Sequence, residues 1–344
     1  MNPTSAVPLR LGILGTARIA RGFVQGLVGS SAVRVDAVAS RSIDAAQAFA
    51  AQYGMARAHG SYEALLADPG IDAIYIPLPN SLHAPWTERA LRAGLHVLCE
   101  KPLTVTLAEA VHLFAVARET GRVLLEAYPY RWQPQTLTMQ RLIADGAIGE
   151  VRSVEAAFGF ALAAGPNIRL DPALGGGALL DAGCYAVSLA RVAVGRRPIA
   201  VQAQARWGGS GVDLALAGTV AFEGGALAQV NCSMDAVLYR QALIVGTQGL
   251  IETDYLNHTD GVRRGALGVR RDVGWDVPLE SIDFERGNGF RYEAEHFAAL
   301  VHAGGPRAAE GDALLSLQNM ATLEALGQAA RSGAVVQVAQ VDGP

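Results

Sequence analysis

Over the first third of the chain, short apolar runs alternate with longer stretches in which apolar positions recur every third or fourth residue. The runs predict strands over 9–14, 33–39, 72–76, 96–99 and 123–126. Because they are nearly continuous rather than alternating, each strand should be covered on both faces. The stretches between them predict helices over 17–27, 45–53, 61–66, 84–93 and 107–120. Gly94 and Gly121 stand where two of these stop, as glycines do when a helix ends in the left-handed conformation. This alternation is the signature of parallel βαβ units wound on both sides of one sheet. Beyond about Tyr128 the pattern changes. A helix is expected over 135–144, a strand over 151–160, a glycine-rich turn at 175–177 and a helix over 179–194. Short strands punctuated by glycine follow over 200–206, 215–222, 226–233, 241–245 and 250–253, as in a largely antiparallel sheet. Helices over 291–302 and 312–331 and a strand over 334–341 complete the reading. The expected class is α/β: a doubly wound parallel sheet in residues 1–127, then an α+β domain with an open, largely antiparallel sheet in 128–344, each with its own core.

Composition narrows what such a chain can do. Of its 344 residues 51% are hydrophobic, yet charged residues, glycine and proline interrupt them throughout. No run reaches the roughly 18 consecutive apolar residues of a membrane span. A formal net charge of −4 exerts no long-range pull on a polyanion, which argues against nucleic acid but allows a local basic pocket for one phosphate. Cys99, Cys184 and Cys232 are too far apart for a disulfide framework, so reduced, buried thiols are expected. The histidines show no metal-ligand spacing, His296 and His302 lying off a shared helical face, and no metal is expected. The opening MNPTSAVPLRLGILG passes from a polar tail into a strand without the succession that marks a leader, so the cytoplasm is the expected compartment.

The first strand runs into Gly15-Thr16-Ala17-Arg18-Ile19-Ala20, a G-x-G-x-x-G turn with alanine in its second and third places. Between strand and helix, such a turn offers free amides and the positive end of the helix dipole to a pyrophosphate. An ordinary βα turn has the same outline, and the five-strand pattern behind it favours the dinucleotide. Ala17 is the departure, since a second glycine normally removes a side chain from the path of the pyrophosphate. The end of the second strand separates NAD from NADP, because a carboxylate there accepts from the ribose 2′-hydroxyl but repels a 2′-phosphate. Here stand Ser40 and Arg41, a hydroxyl and a guanidinium. NADP is therefore preferred. Asp36 has the usual spacing for NAD but falls inside the strand, and NAD remains the alternative. The third strand ends in Pro77-Leu78-Pro79-Asn80-Ser81-Leu82-His83, at the edge where open α/β sheets bind ligands. Pro77 and Leu78 should line the cofactor. Asn80 and His83 suit a helix cap and a first-turn partner as well as they suit a cofactor contact.

The fourth strand delivers Glu100 and Lys101 to the same edge. A surface ion pair is the ordinary fate of such neighbours, but this position argues for function. Lys101 is the first catalytic candidate, its pKa expected to fall from about 10.4 toward neutrality beside a nicotinamide so that it can donate to a substrate oxygen. Asp181 and Tyr185, four apart and so on one helical face, are the second. The phenol can serve as acid or base for an alcohol and ketone pair, and the carboxylate can orient a hydroxyl or the lysine. On helix statistics alone, an exposed Asp and a core Tyr would be the commoner outcome.

These residues come together in Gly15-x-Ala-x-x-Ala20, Asp72-Ala-Ile-Tyr-Ile-Pro-Leu-Pro-Asn-Ser-Leu-His83, Ala93-Gly-Leu-His-Val-Leu-Cys-Glu-Lys-Pro102 and Gly176-Gly-Ala-Leu-Leu-Asp-Ala-Gly-Cys-Tyr185. With Tyr128-Pro-Tyr-Arg-Trp-Gln-Pro134 and Gly146-Ala-Ile-Gly149, the chain resembles over nearly its whole length the glucose-fructose oxidoreductase, inositol dehydrogenase and MocA family. The resemblance implies a Rossmann domain over 1–127 and a substrate-binding and oligomerisation domain over 128–344, whose open sheet commonly mediates homodimers or larger homo-oligomers. Between them lies an active site for a small molecule. It assigns Lys101 to a catalytic Glu-Lys-Pro turn and Asp181 and Tyr185 to the substrate side. It also implies that Arg131 approaches the nicotinamide or substrate and that Arg169 and Tyr292 reach the substrate pocket. Many relatives carry His in place of Tyr185; the Tyr, with Ser40-Arg41, looks most like the branch of dihydrodiol and NADP-dependent xylose dehydrogenases. The implied activity is hydride transfer between nicotinamide and a sugar, polyol or dihydrodiol-like alcohol or ketone. Imine or keto-sugar reduction and elimination are the alternatives within the family. A non-catalytic dinucleotide-binding regulator would keep the Gly15 turn but has no need for Lys101, Asp181 and Tyr185 together. Substrate identity is expected to depend on loops over 159–174 and 275–289.

Overall fold

The computed structural model describes residues 7–261, 265–274 and 276–343. The polar tail before Val7 and Trp275, where the second of those loops begins, lie outside the described residues. The first sheet contains β1 (Leu9–Leu14), β2 (Val33–Ala39), β3 (Arg57–His59), β4 (Ala73–Ile76), β5 (His96–Glu100) and β6 (Leu124–Ala127). Its order is β3-β2-β1-β4-β5-β6, parallel throughout, which is the Rossmann order with its switch point between β1 and β4. Every residue of β4 and β5 is buried, as their unbroken apolar runs require.

The intervening helices are α1 (Arg18–Gly26), α2 (Ile43–Tyr53), α3 (Tyr62–Leu66), α4 (Asn80–Arg92) and α5 (Leu107–Thr120). Ser42, Ser61 and Thr106 cap α2, α3 and α5 through their hydroxyls, and Glu109 completes a capping box on α5. Two differences from the sequence reading have local causes. β3 is only three residues of Arg-Ala-His, too short and polar to form an apolar run; Asp68 anchors it, accepting from Arg57 Nε at 2.6 Å and lying 2.9 Å from His59 Nε2. α4 starts four residues before Ala84, with Pro85 inside it, because a first turn closes from Leu82 N–H to Pro79 O at 2.8 Å.

The second sheet follows α6 (Pro134–Ala144). It contains β7 (Val151–Ala161), β8 (Pro198–Trp207), β9 (Asp213–Phe222), β10 (Leu227–Ser233), β11 (Asp235–Gly246), β12 (Leu250–Thr253), β13 (Leu267–Arg270), β14 (Glu280–Ser281) and β15 (Val336–Gln337). Among the described residues only β7 and β10 pair in parallel in this sheet; the order is β14-β13-β12-β11-β7-β10-β9-β8-β15. Side chains alternate as in a half-covered sheet. Ala228, Val230 and Cys232 are buried while Leu227, Gln229 and Asn231 are exposed on the other face. α7 (Cys184–Val194) and α9 (Glu310–Ser332) cover the inner face, and among the described residues no helix covers the outer face. The segment Pro172–Val194 is long and apolar enough on average to cross a membrane although Asp181 and Arg191 interrupt it; 72% of its most apolar window is buried in the protein, so it serves as a core segment.

The two apolar clusters do not divide by domain, as expected, but by the two faces of the parallel sheet. One face, through Leu14, Ile74 and Val97, is continuous with Leu189, Val230 and Leu326 of the second half. The other, through Ile13 and Tyr75, is covered by α8 (Gly289–His302), which returns across the molecule to place Phe290 edge-on to Phe23 with ring centroids 5.7 Å apart.

Candidate active site

Gly15 ends β1 with φ +97, its N–H donating to Ala39 O at 2.8 Å. A Cβ there would lie 3.2 Å from Leu78 Cδ2, so both backbone and space favour glycine. α1 then begins after Ala17 with no side-chain cap, which leaves its first amides for a ligand. Ala17, Arg18 and Ile19 form one wall of a cleft of about 590 Å³; Pro77, Leu78 and Asn80 form the next, and Glu100 and Lys101 lie on it too. Arg169, Gly175, Asp181 and Phe290 close it from the second half of the chain. Thr16, Ser40, Arg41 and Tyr185 do not line this cleft. Ser40 and Arg41 follow β2 directly, beside the strand end that Gly15 touches. Asp36 is spent on Arg34, with bonds of 2.5 and 2.8 Å, inside the strand as expected. A larger concavity of about 990 Å³ lies on the open sheet face among Gln202, Thr219, Gln229 and Asn231, without any of these groups.

Asn80 does not cap α4. Its amide reaches across the cleft to Gly175 O at 2.8 Å and ties the two halves together. His83 is buried, each ring nitrogen 2.8 Å from a carbonyl, of Pro102 and of Leu78. Burial lowers its pKa although both carbonyls favour the protonated ring, and the imidazole sits between the Glu-Lys-Pro turn and the β4–α4 turn.

Lys101 does not pair with Glu100. The Glu100 carboxylate accepts from Tyr75 Oη at 2.6 Å, and Tyr75 stacks on Phe23 at 3.9 Å. Lys101 Nζ instead donates to the backbone O of Asp181 at 2.8 Å and to its Oδ1 at 2.9 Å. Arg169 Nε meets the other oxygen of the same carboxylate at 2.5 Å. Burial raises the Asp181 carboxyl, but Lys101 and Arg169 outweigh it and hold it below the usual range. For Lys101, burial disfavours the ammonium, yet Asp181 prevails and raises the pKa. The expected fall toward neutrality is thus corrected: a partner carboxylate, invisible at this spacing, reverses the sign. The segment carrying it is also not a plain α-helix. Leu179–Gly183 is a π turn leading into α7, a local widening that often marks functional sites.

Tyr185 lies beneath Lys101, whose Nζ stands 5.0 Å from its ring centroid. The phenol is 4% exposed and its oxygen accepts from Asn257 Nδ2 at 3.1 Å. Burial pushes it well above the ordinary phenol value, while Lys101 and Arg240 pull it down. Two further candidates lie elsewhere. Arg131 is held by Asp312 at 2.9 Å, beside His296, and does not line the cleft. Tyr292 donates to Glu285 at 3.1 Å, also off the cleft. In both, a nearby carboxylate takes the group that the resemblance assigned to the ligand.

Residues not singled out from sequence also shape the site. Asp213, at the start of β9, accepts the Leu179 N–H at 2.6 Å and so anchors the π turn. Glu293 is fully buried with neither oxygen bonded among the described residues, and burial followed by the charge of Glu100 raises its pKa strongly. A signal existed: Glu293 occupies the apolar stripe of Phe290, Ala294 and Phe297 on α8. Among the described residues, no group of three His, Cys, Asp or Glu is placed to hold a metal.

A Rossmann sheet whose cleft opens at the switch point, with an uncapped helix start on one side and a buried lysine–aspartate pair on the other, defines the class as a dinucleotide-binding α/β protein. The family model described as "Oxidoreductase family, NAD-binding Rossmann fold" matches residues 9–128, and that for the GFO/IDH/MocA C-terminal domain matches 136–252. The chain is 38% identical to D-xylose 1-dehydrogenase (NADP(+)) 2 of Haloferax volcanii, over 96% of this chain and 100% of that protein. It is 36% identical to trans-1,2-dihydrobenzene-1,2-diol dehydrogenase of Danio rerio, over 86% and 89%. The fold is shared with a 3-ketoreductase of Actinomadura kijaniata solved with NADP and TDP-benzene, at TM-score 0.85 and 32% identity, covering 94% of this chain and 98% of that one. The chain belongs to the GFO/IDH/MocA family and is an NAD(P)-dependent oxidoreductase.

Proposed function

We propose that the protein interconverts a secondary alcohol and a ketone on a sugar, polyol or dihydrodiol-like molecule, with NADP preferred over NAD. The observation that carries this reading is the Lys101 ammonium, held by Asp181 at the cleft with Tyr185 beneath it. Two of its three donors are spent on Asp181, and one remains for a substrate oxygen. Because the ammonium keeps its charge, its role is to stabilise negative charge developing on that oxygen, while Tyr185 exchanges the proton. Asp181 fixes Lys101, and Arg169, on the same carboxylate and 40% exposed, is the residue offered to the substrate's other hydroxyls.

The cofactor, when bound, supplies or accepts the hydride. The uncapped start of α1 fits a pyrophosphate, the Gly15 turn leaves room for its approach, and Ser40 and Arg41 suit a 2′-phosphate. Two named relatives use or bind NADP, which supports the preference. We take residues 1–127 as the dinucleotide-binding domain and 128–344 as the substrate-binding and oligomerisation domain, with α8 crossing back. The open sheet face is read as the contact in a homodimer, and three free buried thiols accord with a cytoplasmic address.

The test is absorbance at 340 nm with NADP or NAD against aldoses, inositols and dihydrodiols, alongside Lys101→Met. Expected are turnover with at least one class and a loss of about 10²–10⁴-fold in the variant, with cofactor affinity little changed. Wild-type turnover by the variant would remove Lys101 from the chemistry.

A further inference from the structure

Four tyrosines pack in one buried cluster, and one differs from the rest. Tyr128 donates to Cys184 O at 3.4 Å, Tyr130 to Ser188 Oγ at 2.8 Å and Tyr255 to Ala157 O at 2.9 Å. The Tyr185 hydroxyl only accepts, and among the described residues no protein group takes its proton. The donor it accepts from is itself fixed. Arg240 Nη2 lies 3.1 Å from Asn257 Oδ1, and a guanidinium can only donate, so this contact identifies the amide oxygen and turns Nδ2 toward Tyr185. The Arg240 Cζ also stands 4.5 Å from the Tyr185 ring centroid.

We propose that Arg240 and Asn257 are positioning residues that orient the Tyr185 hydroxyl so that its proton is delivered to the substrate oxygen. The proposal rests on the reading of Tyr185 as the proton-exchanging group. In the reducing direction the Tyr185 O–H bond breaks and its proton goes to the substrate carbonyl oxygen, as hydride from a reduced nicotinamide dinucleotide reaches the carbonyl carbon. The products are an alcohol, the oxidised dinucleotide and a phenolate, and oxidation reverses each transfer. The phenolate keeps the Asn257 N–H, and two cations stand over its ring: Lys101, from the turn after β5, with Nζ 5.0 Å from the centroid, and Arg240, from β11, with Cζ 4.5 Å from it. The other polar or acidic groups around it are Glu100 from β5, Cys184 from α7, and Tyr128 and Tyr130 beside the ring. Burial opposes the phenolate and the two cations favour it, so losing the amide donor should make the phenol harder to ionise.

The experiment compares Asn257→Asp, Asn257→Leu, Arg240→Lys, Tyr185→Phe and the Asn257→Leu/Tyr185→Phe double variant of the full chain. The readouts are kcat in both directions against pH and the Kd for NADP, with far-ultraviolet circular dichroism as the folding control. Asn257→Asp keeps the bond to Arg240 but turns the contact with Tyr185 into an acceptor, so it should lower kcat more than Asn257→Leu. Asn257→Leu should cost about tenfold or more in kcat with Kd unchanged, and move the limb for oxidation to higher pH by about one unit. Arg240→Lys, which keeps the charge but not the planar fork, should fall between. In the Tyr185→Phe background, Asn257→Leu should cost nothing further. An additive loss there, or an unmoved pH limb in Asn257→Leu, would overturn the proposal. Should Tyr185→Phe alone turn over normally, the reading of Tyr185 fails instead.

Discussion

At the scale of single residues, charge state separates the members of this site. Asp181 stays ionised because two cations share it, and Lys101 stays protonated because Asp181 faces it, so neither is a proton shuttle near neutral pH. Sequence spacing brought Lys101, Asp181 and Tyr185 forward as a group, since charge at a strand end and an i, i+4 pair are local signals. The direction of the Lys101 shift was not legible, because it depends on a partner 80 positions away. The same scale holds a prediction for the cofactor. If Arg41 meets a 2′-phosphate, Arg41→Ala removes a charge-assisted hydrogen bond worth about 1.5–3 kcal/mol. Its Kd for NADP, measured by fluorescence titration, should rise about 10- to 100-fold while that for NAD changes little. Equal losses for both cofactors would place Arg41 outside the discriminating contact.

At the scale of elements, the π turn before α7 presents the carboxylate and the phenol to one lysine, and Asp213 anchors its start. Burial pushes Asp213 up to about 6 from 3.8, against the bond from Leu179 N–H. Between these values the folded protein holds a proton that the unfolded chain has released. This contribution to stability is therefore complete below about pH 4 and is lost as pH rises through about 6. Asp213→Asn should remove that slope, on the order of 1–3 kcal/mol, seen as a flatter profile of Tm between pH 4 and 6. A slope identical to that of the native protein would assign it elsewhere. Element boundaries were readable where caps or glycines marked them, as at Thr106 and Gly121. They were not readable at β3, whose polar residues are held by Asp68 from 11 and 9 positions further on, nor at α4, whose first turn precedes its proline.

At the scale of the whole molecule, the outer face of the second sheet carries Gln202, Gln204, Thr219, Gln229 and Asn231 around a broad concavity, with no covering helix among the described residues. A homodimer through this face should give a light-scattering mass of twice 36.0 kDa, and a paired Thr219→Arg and Asn231→Arg change should move it toward that of one chain. Dimers unmoved by both arginines would place the contact on another surface.

The amino-acid sequence by itself determined five of the six parallel strands, most strands of the largely antiparallel sheet and the strand ends that line the cleft. Those follow from apolar periodicity and turn chemistry, which act over a few residues. Tertiary structure alone decided which charges neutralise which. It sent Arg131 to Asp312 and Tyr292 to Glu285, gave Lys101 to Asp181 rather than Glu100, and brought Arg240 and Asn257 to Tyr185. Electrostatic partners are chosen by distance and burial in space, and neither quantity is encoded at any fixed separation along the chain.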